Sequence, residues 1–197
     1  MDLVRRMTSH HTKPPVSQPT RDLQRLQRTG RLLAFACWVL IIALPPLFAW
    51  FWVEASPAEL AARVNLPADA LQGPFMLWQR VLGACISAVP LGLLLVGLWQ
   101  LKKCLVLFAA GQVFTLRSVS ALQSFAGLAT ASLASSVLAG TALTVLLTFS
   151  NAPGTRQLAV VLGTDQVFAL FYAGMVWLMA KVIAQGLHLA EENANFV

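Results

Sequence analysis

Charge is scarce in this chain. Only 11% of its 197 residues are Asp, Glu, Lys or Arg, less than half the share of about 25% in an ordinary soluble domain. That is too little polar surface to coat a folded core in water, so a soluble globular domain is excluded. The 57% of hydrophobic residues excludes disorder and collagen-like repeats. Three cysteines are too few for a disulfide-stapled secreted scaffold. Also lacking are a phosphate loop, a dinucleotide fingerprint and a nucleophile elbow. Cys37 and Cys85 fall within apolar runs, and Cys104 stands at the edge of one, so no metal cluster follows. The expectation is a protein that is not an enzyme and holds no cofactor.

What the chain does have is long uncharged runs. At 1.5 Å per residue, about 20 apolar residues cross a hydrocarbon core of about 30 Å. Four segments pass this test. The first, Leu32 to Val53, holds twelve Leu, Ile, Phe or Val residues and a Pro45-Pro46 pair that predicts a kink. The second, Val81 to Leu101, carries Pro90 near its middle. The third runs from about Leu122 to Phe149 and is longer than a crossing needs. In the fourth, a register from Gln166 to Ile183 leaves Asp165 at one interface and lets Lys181 reach the other. A charge at mid-membrane would cost about 3 kcal/mol.

The basic residues set the orientation. Seven of fourteen, Arg5, Arg6, Lys13, Arg21, Arg25, Arg28 and Arg31, precede the first crossing. Lys102, Lys103 and Arg117 lie in the second loop, and Lys181 near the C-terminus. Arg63, Arg80 and Arg156 alone fall on the other side. The positive-inside rule puts both termini in the cytoplasm. The arginines before the first crossing attract anionic headgroups. Direct nucleic-acid binding is not expected, because no aromatic residues interleave these cations and the segment has Pro14, Pro15 and Pro19. Nor is the segment a cleavable signal, since the apolar run after it is too long.

Two loops have local signatures. Ser56-Pro57-Ala58-Glu59 reads as a capping box with proline at the first helical position, predicting a short helix from Pro57 to Val64. Trp50, Trp52, Phe75 and Trp78 around it are expected in the outer aromatic belt. In the inner loop, Gly111 permits a turn and Thr115 can cap a helix. Leu116, Val119 and Leu122 oppose Arg117, Ser118 and Ser120, the pattern of a short interfacial helix before the third crossing.

Small residues mark the third crossing. Gly127, Ala131, Ser135 and Ala139 recur every four residues, beside a row of Ser132, Ser136, Gly140 and Thr144. Such rows let helices approach closely. Packing within the bundle is the favoured use; a homo-oligomer seam or a polar permeation path are the others. His188, Glu191 and Glu192 share one helix face, a spacing that could seat a metal but more often marks a solvated helix end. No metal is expected there.

Two stretches resemble a known family. Leu107-Phe108-Ala109-Ala110-Gly111-Gln112-Val113-Phe114-Thr115, with Val119 and Leu122, is similar to the inner loop of a bacterial four-helix membrane family, domain of unknown function 2975. Gly186-Leu187 and Glu191-Glu192-Asn193 ahead of Phe196-Val197 resemble its closing motif. The resemblance covers about Leu32 to Val197. Val113 departs from it, standing where proline is usual, and so does His188. The resemblance implies no established activity. Members are often encoded beside small helix-turn-helix regulators, which implies a membrane partner for a transcription regulator.

These readings combine into an all-α integral membrane protein of the bacterial inner membrane. A basic tail (1–31) precedes a domain of four transmembrane helices (32–197). The expected role is regulatory or scaffolding, with Phe108, Gly111, Phe114, Thr115, Glu191, Glu192 and Asn193 docking a cytoplasmic protein. A small transporter or channel subunit is the alternative, using the Ser132, Ser136 and Thr144 row.

Overall fold

The structure is a computed structural model that describes residues 19–64, 66–67, 76–112, 115–151 and 163–194, with side chains from 27 in the first helix and up to 189 in the last. Five helices and no strands occur among the described residues: α1 (Pro19–Glu54), α2 (Pro57–Arg63), α3 (Leu77–Ala109), α4 (Leu116–Leu147) and α5 (Thr164–Ala194). All but α2 are long and apolar enough to span a bilayer.

The long helices alternate in direction. In α1, Gly30 lies against Leu105 and Ala109 at the end of α3, whereas Trp52 lies against Gly83 near its start. Gly97 of α3 abuts Phe125 and Leu128 of α4, and Gln79 reaches Leu146. Gln123 of α4 donates to the Ala180 carbonyl of α5 at 3.2 Å. The beginning of α1 and the end of α5 therefore share one end of the bundle. Side by side, the order is α1, α3, α4, α5, with α3 and α4 as the central pair. Burial follows this order, reaching 33% of the α4 span against 6% for α1 and for α5.

Two boundaries differ from the sequence expectations. Helix α1 starts at Pro19, so the stretch from Arg21 to Arg31 is a helical extension of the first crossing rather than part of a separate tail. Proline suits the first turn of a helix, where its missing N–H costs nothing. The helix also continues through Pro45 and Pro46. Likewise, α4 runs unbroken from Leu116, so the amphipathic segment is its first turns and not a short helix of its own. No glycine or proline separates Leu116 from Leu122, and propagation of a helix is favourable once it is nucleated.

Opposite the start of α1 and the end of α5, α2 closes the bundle. The Ser56 main-chain N–H donates to Glu59 at 2.7 Å, and Glu59 N–H donates to Ser56 Oγ at 3.3 Å, completing the expected capping box. Leu60, Ala61, Val64 and Leu66 pack with Trp52 of α1 and with Leu143, Leu146 and Leu147 of α4. Trp52 is therefore a core residue, 6% exposed, and not part of an outer aromatic belt. It is buried because Gly83 leaves space for its ring. Trp50 and Trp78 are exposed, and Phe75 lies outside the described residues.

Candidate functional site

The motifs that drew attention in the sequence sit at the end of the bundle shared by the start of α1 and the end of α5. Helix α3 stops in a tight reversal. Gly111 has φ +81°, a left-handed conformation that glycine adopts without a Cβ clash. The Gln112 amide donates to Leu107 O at 2.9 Å and the Gly111 amide to Phe108 O at 3.0 Å. These are the paired bonds of a Schellman motif, which satisfy carbonyls the helix end leaves free. Phe108 is half-buried, while Gly111 and Gln112 are exposed. Thr115 then caps α4, accepting from the Ser118 amide at 3.2 Å. Ser118 is fully buried and its hydroxyl donates to Thr115 O at 2.8 Å, so serine takes the place glutamate usually has in such a box.

This turn is seated on α1. Gly30 is close enough to α3 that a Cβ there would stand 3.3 Å from Leu105 O. A Cβ on Gly111 would stand 3.7 Å from the Gln27 amide nitrogen. The Gly111 turn and residues 27–30 of α1 thus lie side by side. Phe114 lies outside the described residues. Glu191, Glu192 and Asn193 lie on the last turns of α5, and their side chains are outside the described residues too, so the expected meeting of the two motifs is located only as far as the helix that carries one of them.

The cations at this end have aromatic supports. Lys102 Nζ lies 4.8 Å above the Trp99 ring and Lys181 Nζ 4.5 Å above that of Trp177. A cation held over a ring face is stabilised by the ring quadrupole. Arg28, Arg31, Lys103 and Arg117 are exposed nearby on α1, α3 and α4.

The small-residue rows of α4 divide their contacts. In the first row, Gly127 faces Trp177 of α5, Ala139 is buried, Ser135 is half-buried and Ala131 is exposed. The second row is buried more evenly, because it faces the central partner α3. Ser132 donates to Pro90 O at 2.7 Å across the two helices. Ser135 and Ser136 donate back to Ser132 O and Leu133 O in their own helix. A cavity of about 540 Å³ remains between α3 and α4, touched also by Phe48, Arg63 and Gln166.

Two residues at the opposite end carry more structure than their sequence positions suggested. Gln79 is 1% exposed, donates to Leu146 O at 2.9 Å and accepts from the Met76 amide. Arg80 donates to Val53 O and, at 3.0 Å, to Ala55 O, neutralising the C-terminal dipole of α1. Arg80 was visible in the sequence only as a loop charge.

Comparison with known proteins agrees with this architecture. No curated protein and no solved structure matches the chain. A family profile matches residues 61–197, beginning inside α2 and taking in α3, α4 and α5 together with the Gly111 turn and the closing Glu-Glu-Asn. The first crossing, expected within the resemblance from Leu32 onward, lies outside the match. Since the matched region is well over half of the chain, the chain belongs to the family of proteins of unknown function DUF2975.

Proposed function

We propose that this protein is a small regulatory or scaffold protein of the bacterial inner membrane. Both ends of its chain face the cytoplasm, and it recruits a cytoplasmic protein such as a transcription regulator. The observation that supports this reading is the seating of the Gly111 turn on α1. A surface ordered before it meets a partner loses less entropy on binding. The cations at this end favour the cytoplasmic side under the positive-inside rule and favour an acidic partner surface. The hydroxyls of Ser132, Ser135, Ser136 and Thr144 donate to main-chain carbonyls, which supports packing over permeation as the use of those rows.

Crosslinking in native membranes followed by pull-down tests the reading. Phe114→Ala and the double change Glu191→Ala with Glu192→Ala should each reduce recovery of the bound protein while leaving the amount of membrane protein unchanged. Equal recovery with both variants defeats the docking surface. A liposome flux assay addresses the transporter alternative, since a scaffold carries no flux.

A further inference from the structure

The α3–α4 cavity is not used by the docking role, and its walls are unlike a simple packing defect. Arg63 from α2 and Gln166 from α5 reach it, and its walls include Ser87 and Leu94 of α3 and Ser136 and Leu143 of α4. The α4 wall extends from Ser132 to Leu143, a rise of about 16 Å. One leaflet of hydrocarbon is about 15 Å deep, half the core thickness. The cavity is therefore as deep as a single leaflet. At about 540 Å³ it is within the usual size of a small-molecule site and is partly open. In a bilayer, a partly open cleft between spanning helices whose walls are more apolar than polar can take up an acyl chain.

The rim determines which lipid. The Arg63 guanidinium lies 4.8 Å above the Phe51 ring, and no ion pair holds it among the described residues. The ring holds the cation at the cleft, and no other described residue engages its N–H groups. Guanidinium matches a phosphate in charge and in geometry. From this combination we propose that the cavity is a binding site for one anionic phospholipid. Its phosphate sits on Arg63, and one acyl chain lies between α3 and α4 along Leu94 and Leu143.

Native mass spectrometry of the full chain, purified in detergent with equal amounts of phosphatidylglycerol and phosphatidylcholine, tests this. The wild type should retain one phosphatidylglycerol in preference to phosphatidylcholine by about fivefold. Arg63→Gln should abolish the preference and Arg63→Lys should keep most of it. Ser136→Phe, which fills the cleft, should remove the bound lipid altogether. Arg63 is exposed and outside the apolar cluster that closes the bundle, so its variants report on binding even if Ser136→Phe does not fold. Equal retention of the two lipids by the wild type overturns the proposal. So does an unchanged preference in Arg63→Gln, or a bound mass that proves to be a free fatty acid.

Discussion

Gly83 and Gly92 lie nine positions apart on α3 and have opposite surroundings. A Cβ on Gly83 would stand 2.5 Å from Trp52 Cη2 and 2.8 Å from Cζ3, with Leu143 Cδ2 at 3.2 Å. Trp52 is enclosed by the α2 cluster and has little room to withdraw. Gly83→Ala should therefore destabilise the protein by about 1–3 kcal/mol, the usual cost of overpacking. Gly92 has nothing within 4 Å of the corresponding position, and Gly92→Ala should be neutral or mildly stabilising through helix propensity. Thermal midpoints in detergent, followed by tryptophan fluorescence, compare the two. The contrast was not legible in sequence, where both are glycines in an uncharged run. Gly111 was legible, because a glycine followed four positions later by a helix-capping threonine, Thr115, has a local meaning. Gln79 was not, since its partner is a carbonyl 67 residues away and only the packed pair gives it a role.

At the scale of elements, capping chemistry was the most readable feature. Ser56 and Glu59 close α2 as their spacing implied, and Thr115 starts α4. The Ser56 amide first, and then its hydroxyl, donate to the Glu59 carboxylate and hold its pKa below the ordinary glutamate value. A carboxyl lowered on folding adds stability that is complete above its unfolded pKa and is lost as pH falls through its folded one. The α2 closure should therefore loosen between roughly pH 5 and pH 3. A variant whose only tryptophan is Trp52 would report this as a fluorescence shift. With Glu59→Gln, which can still accept the hydrogen bonds but does not titrate in this range, the shift should vanish. Where the element reading failed, the cause was continuity. Periodicity marks a face and not a boundary, so the first turns of α4 and the helical run from Arg21 to Arg31 looked like separate pieces.

For the whole molecule, hydropathy implied four crossings, and four long apolar helices alternate in direction. Hydropathy cannot say which helix touches which, so the lateral order α1, α3, α4, α5 became visible only through contacts such as Ser132 to Pro90 and Gln123 to Ala180. Under the proposed orientation, reporter fusions at residue 1 and residue 197 should both signal from the cytoplasm, and a fusion in α2 from the far side. Ends that report from opposite compartments would reject that orientation.

The lateral order also matches the order of synthesis. Apart from the small helix between them, each long helix docks on the one made just before it: α3 on α1, α4 on α3, α5 on α4. No helix has to thread between two already seated neighbours. The ribosome can deliver the protein to the membrane in the sequence in which it assembles, with α1 waiting alone in lipid only until its first partner follows.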